Sequence, residues 1–143
     1  MKKQLMLAAL CAALATSHAF ARDSVGTYDV ADALKSEPGK VGDDIPLFFA
    51  GQDHPRVVKS IGTFATNKKT NAFNKTDLVA CQHVFLSAVI ELQDRARKEG
   101  GNAVINIKSN YENQIRESAT EFTCGAGAVI AGVALTGEVV TLK

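Results

Sequence analysis

Apolar side chains recur at helical spacing between residues 77 and 99. Leu78, Cys81, Phe85, Ala88, Val89, Leu92 and Ala96 fall within roughly 120° of one another at about 100° per residue. Glu91, Asp94, Arg95 and Lys98 lie largely off that stripe. Thr76 stands where an N-cap hydroxyl is needed and Asp77 adds a favourable first-turn charge. Gly100 and Gly101 permit a left-handed exit. The pattern predicts one long amphipathic helix over 77–99.

Elsewhere the periodicity is that of strands. The run Ile45 to Ala50 predicts a first strand, and Pro46 favours an edge position because it has no amide to donate. Val57, Ile61 and Phe64 among polar neighbours predict a second strand over 56–66, with Gly62 at a bulge or bend. Residues 67–75 (NKKTNAFNK) read as a polar connecting loop. A third strand is predicted over 102–111, followed by a polar turn at 112–116. Thr120 and Phe122 alternate, and the chain then turns apolar on both faces from Ala126 to Leu135. Such a strand belongs in the middle of a sheet or under a helix. Val139 to Leu142 either continues it or pairs as a last strand. Residues 22–44, punctuated by Pro38, Gly39 and Gly42, predict a loosely structured segment with a short helix at Val30 to Lys35. The expected fold is therefore α+β: a mainly antiparallel sheet of four or five strands with one long helix on one face.

The start of the chain has a different character. Lys2 and Lys3 precede an apolar core, Leu5 to Ala15, and a small-x-small site at Ala19-Phe20-Ala21, the organisation of a signal peptide cleaved after Ala21. Its core of about 11 residues is far short of the roughly 20 that span a bilayer. Cys11 lies within that core after Leu10, not at a lipoprotein cleavage site. The expectation is an exported, periplasmic protein with a single domain over 22–143 and no membrane span after cleavage. That domain carries 14 Lys and Arg against 15 Asp and Glu, so nothing points to a nucleic-acid partner, which needs a strongly basic face. Only Cys81 and Cys124 remain after cleavage. In an oxidising compartment one disulfide is the simplest reading, with a reactive thiol or a metal ligand as rivals.

Candidate chemistry is sparse. "TEFTCGAGAVIAGVALTGEVV", residues 120–140, holds Gly125, Gly127, Gly132 and Gly137. A P-loop would need a terminal Gly-Lys-Ser/Thr, and no lysine occurs between Lys108 and Lys143. A dinucleotide fingerprint would need glycine where Ile130 stands. Glycines five apart do not make a membrane helix pair. Close backbone packing inside a sheet remains, and no cofactor is expected. Cys81 and His83 lie roughly 200° apart on the predicted helix and cannot share an ion, so no metal is expected there. Glu112, Glu117 and Glu121 show no pairing pattern, and no G-x-S-x-G is present. The cluster Asn67, Lys68, Lys69, Asn71, Asn74 and Lys75 offers point charges and amides for an envelope protein or an anionic envelope component.

The segment Ala96 to Ile107, ARKEGGNAVINI, resembles the helix-to-strand signature of YbjQ-like small proteins and of the outer-membrane stress sensor RcsF. That resemblance implies a mixed sheet packed on a helix and a disulfide joining the helix start to the later strands, with Cys81 and Cys124 placed to form it. The chain has one such pair where that sensor has two, and it has no lipid-anchor cysteine. "NKKTNAFNK", "ARKEGGNAV" and "CGAGA" are also similar to stretches of a group of short exported bacterial proteins often labelled excinuclease ATPase subunits. The residues carry neither a Walker A motif nor zinc-finger cysteine spacing, and an export signal precedes them. The expected function is a non-enzymatic periplasmic binding or interaction module in envelope homeostasis or stress sensing. The alternatives are a small hydrolase or ligand- or metal-binding protein using His54 or His83, and a structural protein assembled as a homo-oligomer.

Overall fold

A computed structural model describes residues 23–143; the signal-peptide expectation for residues 1–21 lies outside them. The chain runs β1 (Asp23–Asp29), α1 (Val30–Ser36), β2 (Leu47–Phe49), β3 (Val57–Asn71), α2 (Asp77–Glu99), β4 (Ala103–Ser109), a 3-10 turn (Tyr111–Asn113), β5 (Glu121–Gly127) and β6 (Ile130–Leu142). The fold is α+β, with a mixed sheet of six strands rather than four or five. Four pairings are antiparallel, and β2 joins β4 in parallel.

Helix α2 has the predicted bounds for the predicted reasons. The Thr76 hydroxyl accepts from the Val79 amide at 3.2 Å, and Gly100 takes φ 79° at the exit. Cys81, Phe85, Ala88, Val89, Leu92 and Ala96 are buried. Leu78 is not: it stands 51% exposed in the first turn of the helix. The buried stripe is also wider than the periodicity implied. Val84, Leu86 and Gln93 are buried as well, and the segment after α1 packs over Gln93. Gln93 holds that segment: its amide donates to the carbonyls of Gly42 and Ile45, both at 2.8 Å, and its Oε1 accepts from the Gly42 amide. A buried amide satisfied in this way specifies one position for the chain around it.

Residues 23–44 are thus more ordered than expected. Strand β1 was not anticipated, and it pairs with β5 along its whole length, Asp23 opposite Gly127 and Asp29 opposite Glu121. Asp29 then caps α1, accepting from the Asp32 amide at 2.8 Å. The apolar stretch 126–135 is not one strand. It turns at Ala128 and Val129, neither of which is a turn-forming residue type, and β6 continues without interruption through Val139 to Leu142.

Strand β6 is the spine of the sheet. Along one edge it pairs with β3 from Asn71–Ile130 to Val57–Leu142, with register shifts around Lys59 and Gly62, the latter near the predicted bend. Along its other edge it pairs first with β5, at Gly125–Gly132 and Ala126–Ala131, and then with β4, from Ser109–Leu135 to Ala103–Val140. Strand β2 lies on the edge, as Pro46 implied.

The main core lies between α2 and the sheet. Phe49, Phe85, Phe122 and Tyr28 stack in series, with Phe85 and Phe122 centroids 4.1 Å apart. A Cβ on Gly137 would lie 2.6 Å from Val104 Cγ1, so glycine lets helix, β4 and β6 close up there. Cys81 of α2 is bonded to Cys124 of β5, Cα to Cα 5.9 Å, across 43 positions of sequence. Closing a loop of that length is worth about 4 kcal/mol by the chain-entropy relation. Replacing both cysteines by alanine should therefore lower the unfolding free energy by about 2–4 kcal/mol, measured by urea denaturation. Reductant should shift the wild-type midpoint and leave that of the double variant where it is.

Candidate functional site

The predicted loop over 67–75 is a strand for more than half its length. Strand β3 continues to Asn71 because β6 offers it partners as far as Ile130, so side chains alternate between the two faces of the sheet. Lys68 falls on the helix side and pairs with Glu91 of α2 at 2.6 Å. Asn67, Lys69 and Asn71 fall on the opposite, outer face. Asn74 occupies the left-handed region, φ 59°, in the tight turn before α2, and Lys75 is exposed beside it. The structure therefore divides the six residues, leaving Asn67 and Lys69 side by side on one cleft.

That cleft is an open depression of about 530 Å³ on the outer face. Its floor is the cross-strand pair Gly125–Gly132. One wall is Tyr111, the other carries Asn67 and Lys69, and Asp23 and Glu112 stand at the rim. Its origin is local. After Ser109 strand β4 ends, the Asn110 amide donates to the Ala134 carbonyl at 2.8 Å, and the 3-10 turn swings Tyr111 back over β5. A Cβ on Gly125 would overlap the Tyr111 phenol, so the ring lies on bare backbone. Burial, reinforced by the charges of Glu112 and Asp23, raises the Tyr111 pKa above its usual 10.0. The phenol is held as a neutral donor at physiological pH. Among the described residues Lys69 makes no salt bridge, which leaves its ammonium at the mouth of the cleft. The arrangement can bind a molecule by stacking on Tyr111, by contact with exposed peptide, and by one cation and one amide.

The histidines are elsewhere. His83 Nδ1 meets Glu37 Oε1 at 2.5 Å, joining α2 to the segment after α1, and its ring nitrogen lowers the Glu37 pKa below 4.5. Half-buried in this contact, His83 is less open to solvent than its position off the stripe implied. Ser87, one turn on, gives its hydroxyl to the His83 carbonyl and not to the ring. His54 is exposed, with its ring edge on Phe48 and Nδ1 2.8 Å from the Pro55 carbonyl. Among the described residues no three His, Cys, Asp or Glu side chains gather as metal ligands. Glu117 pairs with Lys108 at 2.9 Å, and Glu121 lies exposed at the start of β5.

No family model and no curated protein sequence matches this chain.

Tyr111, Asp23, Glu112, Gly125 and Gly132 were not anticipated as parts of one site. The available signal was the pair of glycines flanking an unrecognised hairpin turn, with a lone tyrosine just after a strand. Two outcomes check the description. Gly125→Ala should expel Tyr111 from the cleft at a cost of about 1–3 kcal/mol; spectrophotometric titration in a Tyr28→Phe background should show the phenol pKa above 10.0 in the parent and closer to 10.0 in the variant. Separately, because the folded pKa of Glu37 is depressed, its contribution to stability is present above pH 4.5 and is lost as pH falls through the folded value. Glu37→Gln should flatten the unfolding midpoint below pH 4.5 relative to wild type.

Proposed function

We propose that this chain is an exported, non-enzymatic binding module acting in the periplasm, in envelope homeostasis or stress sensing, and that it holds its ligand in the cleft over Gly125 and Gly132. The carrying observation is the position of Tyr111: an aromatic wall set against bare backbone, with Lys69 and Asn67 facing it across the floor. Flat backbone accepts a planar or extended group without steric selection. The lysine then favours an anionic substituent, and the amide and phenol supply directional hydrogen bonds. A signal-like N-terminus, one disulfide and a near-neutral mature composition all support an envelope role. So does the resemblance of residues 96–107 to the RcsF-like helix and strand. An anionic envelope component is the class of ligand this surface suits.

The test separates the two sides of β3. Protein recovered from an envelope extract is analysed by native mass spectrometry, as wild type, as Asn67→Ala/Lys69→Glu, and as Lys68→Glu. A bound species should be present in wild type, reduced at least tenfold in the first variant, and retained in the second, whose lysine faces α2. Equal retention in all three would remove the cleft as the binding site.

A further inference from the structure

The charges around the cleft are of both signs and do not meet. Among the described residues the side chains of Asp23, Asn67, Lys69 and Glu112 and the Tyr111 hydroxyl make no hydrogen bond or salt bridge. Their placement across the strands is the reason. The sheet runs here from β1 through β5 and β6 to β3, by the pairings Asp23–Gly127, Gly125–Gly132 and Gly132–Lys69. Lys69 stands on the last strand of that row and Asp23 on the first. Glu112 follows Tyr111, whose phenol lies over Gly125 of β5. Both carboxylates act on that phenol, so negative charge occupies the Tyr111 side of the cleft and the Lys69 ammonium the other. Paired strands lie about 4.8 Å apart, and two or three such steps hold the opposite charges roughly 10–14 Å from one another. That is too far for a salt bridge and beyond the screening length of about 8 Å at physiological salt.

A cleft charged in this way disfavours a ligand that is negative along its whole length, because the carboxylates repel one end while Lys69 attracts the other. It suits a dipolar molecule with an anion at one end and a cation at the other. The separation sets the length of that molecule: an extended chain advances about 3.3–3.6 Å per residue, so about three or four residues bridge the two sides. Between the charges, Gly125 and Gly132 leave the floor without side chains, and Asn67 offers a donor and an acceptor together, the complement of a peptide group. We propose that the cleft takes a short zwitterionic peptide of about three or four residues, its carboxylate on Lys69, a peptide group on Asn67 and its free ammonium at Asp23 and Glu112. This rests on the cleft being the binding site, and narrows the anionic ligand there to one whose negative charge is confined to one end.

The full chain is expressed, recovered with its cysteine pair oxidised, and titrated with tetra-alanine while the amide resonances of Gly125, Gly127 and Gly132 are followed by NMR. Their shifts should saturate. Acetylating the peptide's amine or amidating its carboxylate should each weaken binding by about threefold, in the range of one exposed ion pair. Dialanine, too short to reach both sides, should bind less tightly than tetra-alanine by a similar factor. Two variants assign the ends. Asp23→Asn/Glu112→Gln should no longer distinguish the free amine from the acetylated one yet still prefer carboxylate to amide, and Lys69→Ala should do the reverse. A change that merely disturbed the fold would weaken all the peptides alike and leave both preferences in place. The absence of saturable shifts with tetra-alanine, or equal binding of the acetylated peptide by wild type, would overturn the proposal. If the species from the envelope extract then still depended on Lys69, the cleft would stand as a binding site for a ligand of another class. If that species were retained equally by the Asn67→Ala/Lys69→Glu variant, the cleft reading would fall as well.

Discussion

The packing of α2 across the β5–β6 pair is the contact on which the rest of the structure depends. Phe85 lies on Phe122 at 4.1 Å and the disulfide joins Cys81 to Cys124 within the same layer. Strand β6 then carries every remaining part of the sheet except β1 and β2, since β3, β4 and β5 all pair with it directly. A tether at this point holds the helix on the spine, and the spine holds the strands. Loss of register at β6 would expose both faces of the sheet at once.

One helix covers one face, so the outer face must be closed by the sheet's own side chains. At one end this is done by Ala103, Ile105, Val140 and Leu142, with Phe48 and Val57 packed against them. Toward the other end β4 has stopped and β5 has begun, and the paired residues there are glycines. Tyr111 fills part of that gap, and what it leaves open is the cleft. The glycine-rich stretch therefore has two roles at once: its buried alternate positions pack against α2, and its bare outer positions shape a surface. The expectation that it served packing alone was half of its role.

The N-terminal third of the described chain shows how buried polar groups replace hydrophobic ones in setting position. Between α1 and β2 the chain has little regular structure, yet it is held by Gln93 to Gly42 and Ile45, by Glu37 to His83 and by Asp44 to Arg97. The first lies in the core, where an unpaired amide or carbonyl is costly. The others are at the surface, where such pairs contribute little to stability but still select one placement of the segment.

Period and punctuation were enough to find α2 to the residue, the strand at Val57, the strand after Gly101 and the edge position of β2, because each rests on local rules of capping, alternation or proline chemistry. The cysteine pair was legible for a similar reason: with only two cysteines outside the predicted signal, one disulfide is the simplest pairing. The turn at Ala128–Val129, strand β1 and the extension of β3 to Asn71 were not, because each exists only by virtue of a partner strand far away in sequence. The same holds for the cleft. Lys68 and Lys69 are neighbours in the chain, but alternation sends one to Glu91 and the other to the outer face, and only the register of β3 on β6 determines which. Tyr111 meets Gly125 across an ordinary bend and turn that residue types alone do not aim. Local propensity names the elements of this protein, whereas long-range pairing decides which side chains share a surface, and therefore where binding is possible.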